Sequence, residues 1–308
     1  MTTGNTQHKD RLFTYMYGYS ENSSWLLSLY NAVNGTDYTD ASALDITTIE
    51  TVMYLGMYND VSFIIADEMN LYEQQSTYNP NMPLRMFQYL ASLYEKYITQ
   101  NKLNKYSSTQ LSLPVPKLVV FYNGTTDKPD EMTLTLSDSF PPGADADVEV
   151  KVKMININLG KNPKLLGDCK TLGEYSWLVS EIRAGVAAKK DIGVAIDKAI
   201  ENMPDDFEIK PFLVAHKAEV RGMLLTEYNE AKTMELFKEE GREEGRKEGR
   251  KEGIDIGTIN TYVGLVEDGV IDTATAAQRL GVTEARFREI CATWTPCPPH
   301  RDGVVYSA

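Results

Sequence analysis

Three side chains with hard oxygen or amide donors lie close together in one stretch: Asp60, Glu73 and Gln75, in Asn59-Asp60-Val61-Ser62-Phe63-Ile64-Ile65-Ala66-Asp67-Glu68-Met69-Asn70-Leu71-Tyr72-Glu73-Gln74-Gln75. Two short apolar runs flank an acidic turn, Ala66-Asp67-Glu68, which predicts a β-hairpin. Side chains alternate with period two along a strand, so Glu73 and Gln75 share a face. A turn centred on Asp67-Glu68 sets Asp60 opposite Gln75 and diagonal to Glu73. Centred one residue earlier, it sets Asp60 opposite Glu73 directly. Either register gathers two carboxylates and an amide within the roughly 5–8 Å that cross-strand neighbours span. Hard carboxylate oxygens at that separation suit Mg²⁺, which takes a few carboxylates and keeps water elsewhere in its shell. The alternative on spacing alone is an edge hairpin with solvated acids.

The residues around these groups are apolar on both strand faces (Val61, Phe63, Ile64, Ile65, Leu71, Tyr72), so the hairpin should lie in a sheet covered on both sides. A carboxylate there is costly unless it is paired or binds a metal.

Asp60 followed by Glu73-Gln74-Gln75 resembles the D…E-x-Q form of the PD-(D/E)XK nuclease signature. Around it, NDVSFII, MNLYEQQSTYNPNMPLRMFQYL, VVFYNG and the Glu-Gly-Arg tail resemble the Rpn family of recombination-promoting nucleases and putative transposases, over roughly residues 10–257. The resemblance implies an α/β fold: a restriction-endonuclease-like mixed sheet core flanked by helices, with a C-terminal helical appendage. It further implies Mg²⁺-dependent hydrolysis of DNA phosphodiester bonds, with Asp60 and Glu73 as metal ligands and Gln75 in the place of the signature lysine. Glutamine carries no charge and cannot take a proton, so Gln75 could only orient the attacking water. A cleavage-impaired DNA-binding or oligomeric assembly protein of the same fold is the competing expectation. Asp10 and Glu21 are candidates for a further acid, since this fold often borrows one from its first helix. A solvated acid at a helix start is the better reading of both.

The elements that must position this site read as follows. Helices are expected over residues 10–17 and 20–34, and a strand over 46–57 leads into the hairpin. Asn79-Pro80-Asn81-Met82-Pro83 turns the chain into a helix over 84–99. Arg85 falls in that helix's first turn, unfavourable for a cation unless it faces a phosphate or a core acid. It is therefore both a possible DNA contact and a possible salt-bridge partner. Residues 116–122 form the most apolar strand, with a further strand at 147–154 and helices from 172 to 238.

Four segments follow from this pattern: 1–237, the nuclease-like domain; 238–257, a Glu-Gly-Arg repeat; 258–292, a helical module of helix-turn-helix cadence; and 293–308, a tail without core-forming pattern. The repeat carries six cationic and six acidic residues between Lys238 and Glu252, so it is locally neutral. Its glycines, spaced by four, suit either a flexible linker or a helix that packs closely on a second copy, giving a homo-oligomer.

The 308 residues are 42% hydrophobic and 24% charged, with a formal net charge of −13. That balance works against DNA affinity, which rests on cations neutralising phosphates, so local basic surface or bound Mg²⁺ would have to offset it. Three scattered cysteines suggest reduced thiols. There is no leader pattern and no run near the ~20 apolar residues of a membrane span. A cytoplasmic protein with no membrane partner is expected.

Overall fold

A computed structural model describes residues 11–47 and 61–293. Asp10, Asp60, most of the strand expected over 46–57, and the tail from residue 294 lie outside the described residues. The described chain divides into two compact units, which meet in sequence between Met234 and Glu235.

The first unit is mixed α/β. Its sheet has six described strands: β1 (Asp45–Ile46), β2 (Val61–Ile65), β3 (Glu68–Gln75), β4 (Val115–Tyr122), β5 (Glu131–Thr135) and β6 (Lys151–Asn156), in the order β1-β2-β3-β4-β6-β5. The β1–β2, β2–β3 and β5–β6 pairs are antiparallel, while β3–β4 and β4–β6 are parallel. The hairpin pairs Val61 with Tyr72 and Ile65 with Glu68, which is the earlier of the two turn registers. Ala66 and Asp67 occupy the turn with φ of 49° and 62°, the doubly left-handed geometry that matches the twist of tightly linked strands.

Period two in β3 divides its side chains between two cores. Tyr72 joins Phe63, Phe121 and Ile155 under α1 (Leu12–Tyr17), α2 (Ser23–Asn34) and α5 (Lys170–Ala187). Met69 and Leu71 join Val120, Tyr122, Val152 and Met154 under α3 (Met82–Gln100). Helices on both faces leave β3 and the end of β4 buried, which explains their near-continuous apolar character.

Helix boundaries follow local chemistry. Pro83 sits in the first turn of α3, where its missing N–H costs nothing. Gly35 ends α2 with φ +67°, a conformation that disfavours a Cβ. Met86 and Leu93 of α3 are core residues, but Phe87 is 41% exposed and does not belong to the packed stripe. The strand expected over 147–154 starts later, at Lys151, and runs on to Asn156. The long helical tract is divided into α4 (Pro163–Asp168), α5, α6 (Ile192–Glu201) and α7 (Ile209–Ala215), with a break at His216 before α8 (Lys217–Glu267).

Residues 238–257 are helical throughout, inside the 51 residues of α8. In the second unit, α9 (Thr273–Leu280) and α10 (Glu284–Thr293) join the end of α8 around Val263, Ala276, Ala277 and Phe287. Asp272 caps α9 by accepting the Thr275 N–H at 2.7 Å, and Gly281 ends it with φ +68°. The two cations of α10 are tied to its own acids, Arg286 to Glu289 and Arg288 to Glu284. No described helix is long and apolar enough to cross a membrane.

Candidate functional site

Glu73 and Gln75 project from β3 toward α3, the face that Met69 and Leu71 share. The Glu73 side chain is 2% exposed. Burying a carboxylate without compensation costs several kcal/mol, and two groups offset that cost at one oxygen. Arg85 Nη2 donates to Glu73 Oε1 at 2.7 Å, and Gln75 Nε2 donates to the same oxygen at 3.0 Å. The turn through residues 76–81 brings the first turn of α3 back over the strand end and places Arg85 there.

Arg85 is held from several sides. It donates to Tyr89 Oη at 2.9 Å, contacts Met82 Sδ at 3.4 Å, and lies 5.8 Å from the Tyr89 ring centroid. Of its two sequence readings, DNA contact and salt bridge to a core acid, the structure shows the second. The cation near a helix N-terminus is compensated by Glu73, not by the helix. Arg85 retains 31% exposure, so the ion pair has a buried and a wet side.

The remaining candidate acids do not join this group. Glu21 is exposed in a single 3₁₀ turn, Ser20–Asn22, and its described electrostatic neighbour is Tyr15. Asp10 and Asp60 lie outside the described residues, although Asp60 immediately precedes Val61, whose partner Tyr72 precedes Glu73. Among the described residues no group of three or more His, Cys, Asp or Glu could hold a metal ion.

A second polar group occupies the other face of the same strand end, and nothing in the sequence patterns marked it. Gln74 Nε2 donates to Asn123 Oδ1 at 2.7 Å, and Asn123 Nδ2 donates to Tyr175 Oη at 3.3 Å. Arg183 on α5 donates to the Asn123 carbonyl and, at 2.7 Å, to Asn158 Oδ1. Asn158 in turn donates to the Gly124 carbonyl at 3.0 Å. Gly124 is required here: a Cβ would lie 2.5 Å from the Tyr122 ring and 2.6 Å from the Ser76 carbonyl. The apolar run closed by Asn123-Gly124 marks a strand end, as the structure has it after Tyr122, but its partner arginine lies 60 residues onward.

Both polar groups therefore flank the carboxyl ends of the parallel strands β3, β4 and β6, the edge at which open α/β sheets bind ligands. Lys128 adds a cation near this edge, 3.6 Å above the Tyr78 ring. Comparison with family models, with curated proteins and with solved structures gave no match.

Proposed function

We propose that the chain is a Mg²⁺-dependent DNA endonuclease with a restriction-endonuclease-like fold, of the recombination-promoting nuclease type. The observation that carries this reading is a buried carboxylate, Glu73, with Gln75 on the same strand face at the carboxyl edge of a mixed sheet. Glu73 needs a neighbouring positive charge, and a half-wet guanidinium supplies it. The donor set fits a hard divalent cation if Glu73 exchanges Arg85 for it and Asp60 adds the second carboxylate. Such a cation, when bound, lowers the pKa of a water and polarises the phosphate.

The chain's own residues divide the remaining work. Glu73 and Asp60 would hold the cation. Gln75, whose Nε2 is turned to Glu73, keeps its Oε1 as an acceptor for a water O–H but takes no proton. Arg85, from its place beside Tyr89, would turn its guanidinium to a phosphate oxygen. Arg85, Lys128 and Arg183 give this edge local positive charge despite the overall balance of −13.

A second reading is a DNA-binding protein impaired in cleavage, favoured by the ion pair itself: Arg85 already neutralises Glu73 at 2.7 Å. Supercoiled plasmid incubated with Mg²⁺ or with EDTA separates the two. Nicking by the wild type in Mg²⁺ alone, lost in Asp60→Ala with circular dichroism unchanged, supports the nuclease. Plasmid bound but intact under both conditions favours the second reading, and nicking by Asp60→Ala at the wild-type rate removes Asp60 from the mechanism.

A further inference from the structure

The ends of β4 and β6 meet α5 at a cleft of about 100 Å³ whose polar lining is Asn123, Asn158, Ser176, Ser180 and Arg183. The half-buried Arg183 is the cation of this cleft, and its side-chain hydrogen bonds go to neutral oxygens, Asn158 Oδ1 and the Asn123 carbonyl. Among the described residues no carboxylate forms an ion pair with it. Tyr228 feels both Arg183 and Glu227, and the Glu227 carboxylate accepts the Leu12 N–H at 2.8 Å. Ser176 spends its hydroxyl proton on the Leu172 carbonyl at 2.8 Å. Ser180, one helical turn before Arg183, has no hydrogen-bond partner among the described residues and lines the cleft.

A guanidinium partly withdrawn from water and bound only to neutral dipoles keeps its full charge and has N–H donors to spare. Its planar fork matches the oxygens of a tetrahedral oxyanion, and charge-assisted bonds of that kind are about twice as strong as neutral ones. The cleft has room for one such group. We infer that the Arg183–Ser180 cleft binds a single phosphate group, from a DNA backbone phosphodiester or from free inorganic phosphate. Through Asn123 it is tied to Gln74, the residue between Glu73 and Gln75. The inference concerns binding and stands apart from whether Glu73 supports cleavage.

Thermal melting of the full chain in phosphate and in chloride, at matched pH and ionic strength, tests it. Phosphate should raise the wild-type melting temperature above that in chloride. Ser180→Asp should abolish the difference without unfolding the protein, because the new carboxylate sits at i,i+3 to Arg183 and neutralises it. Arg183→Gln should do the same and serves as the second variant. Equal melting of the wild type in both salts overturns the inference, as does a full phosphate effect in both variants. Binding of a duplex oligonucleotide in EDTA then identifies the source. A DNA phosphate predicts that Ser180→Asp weakens binding on the order of tenfold and flattens its logarithmic salt dependence by about 0.9. Unchanged duplex binding, with the phosphate effect lost, assigns the cleft to free phosphate.

Discussion

Gln75 donates its side-chain amide to Glu73 Oε1 at 3.0 Å, so two residues on one strand face share an oxygen that also accepts from Arg85. Gln75 and Arg85 thus converge on a carboxylate inside a core of Met and Tyr residues. Removing either has a distinct consequence.

Arg85→Ala takes the guanidinium from the buried Glu73 carboxylate and leaves the Gln75 amide beside it. Breaking a fully buried pair costs about 3–5 kcal/mol, and the 31% exposure of Arg85 reduces the expected loss to roughly 1–3 kcal/mol. A urea midpoint should fall accordingly. If Mg²⁺ can replace the guanidinium, it should raise the melting temperature of Arg85→Ala more than that of the wild type. Equal Mg²⁺ effects would mean that Glu73 does not take the metal.

Gln75→Lys should keep the bond to Glu73, since an ammonium donates as the amide does, and should preserve or raise plasmid nicking. Gln75→Ala should lower it by removing the group that orients water. Three proteins with the same rate of nicking would put this position outside the chemistry.

The shared face of Glu73 and Gln75 was legible because a strand's period is two and needs no tertiary information. Arg85 was legible only as a choice, since a cation in a helix's first turn signals some anion without saying which. The Arg183 group was not legible: α5 and the ends of β4 and β6 are brought together by a crossover, and no local pattern joins Asn123 to a residue 60 positions later. The strand expected at 147–154 was misplaced because its polar alternation begins before the ladder does; pairing starts at Lys151, opposite Thr135. Continuous helix through the glycines of residues 238–257 was one of two readings there, because weak i,i+3 charge pairs and costly glycines nearly balance.

Tyr30 provides a pH signature of the packing around the hairpin. Burial, and then its hydrogen bond to Glu68 Oε2 at 3.0 Å, push its hydroxyl up to about 12 from an ordinary 10. Below pH ~10 the hydroxyl is protonated in both folded and unfolded chains, so its contribution is fully present. From there to about 12 the unfolded chain ionises first, and stability falls by at most about 1.4 kcal/mol per pH unit from this group. The stability advantage of the wild type over Tyr30→Phe should therefore shrink across that window. Parallel pH profiles for the two proteins would show that Tyr30 titrates normally.

The hairpin turn sets the register that brings Glu73 and Gln75 to their places, and it does so with an unfavourable residue. Ala66 sits at φ 49° and Asp67 at φ 62°, both exposed. A left-handed conformation costs an L-residue roughly 1–2 kcal/mol, and Asn, Asp and Gly bear it best. The Asp67 carbonyl also accepts the Val115 N–H at 2.8 Å, which ties the turn to β4 through backbone alone. Ala66→Asn with Asp67→Gly supplies the pair preferred in such turns and keeps that bond. Added chain entropy from glycine in the unfolded state offsets part of the gain, leaving a net stabilisation of about 1 kcal/mol. Ala66→Val should lose at least as much, because a β-branched side chain tolerates positive φ worst. Urea unfolding of the three proteins decides it: a double variant no more stable than the wild type, or an Ala66→Val protein equal to it, would mean that the turn is not held in the left-handed region.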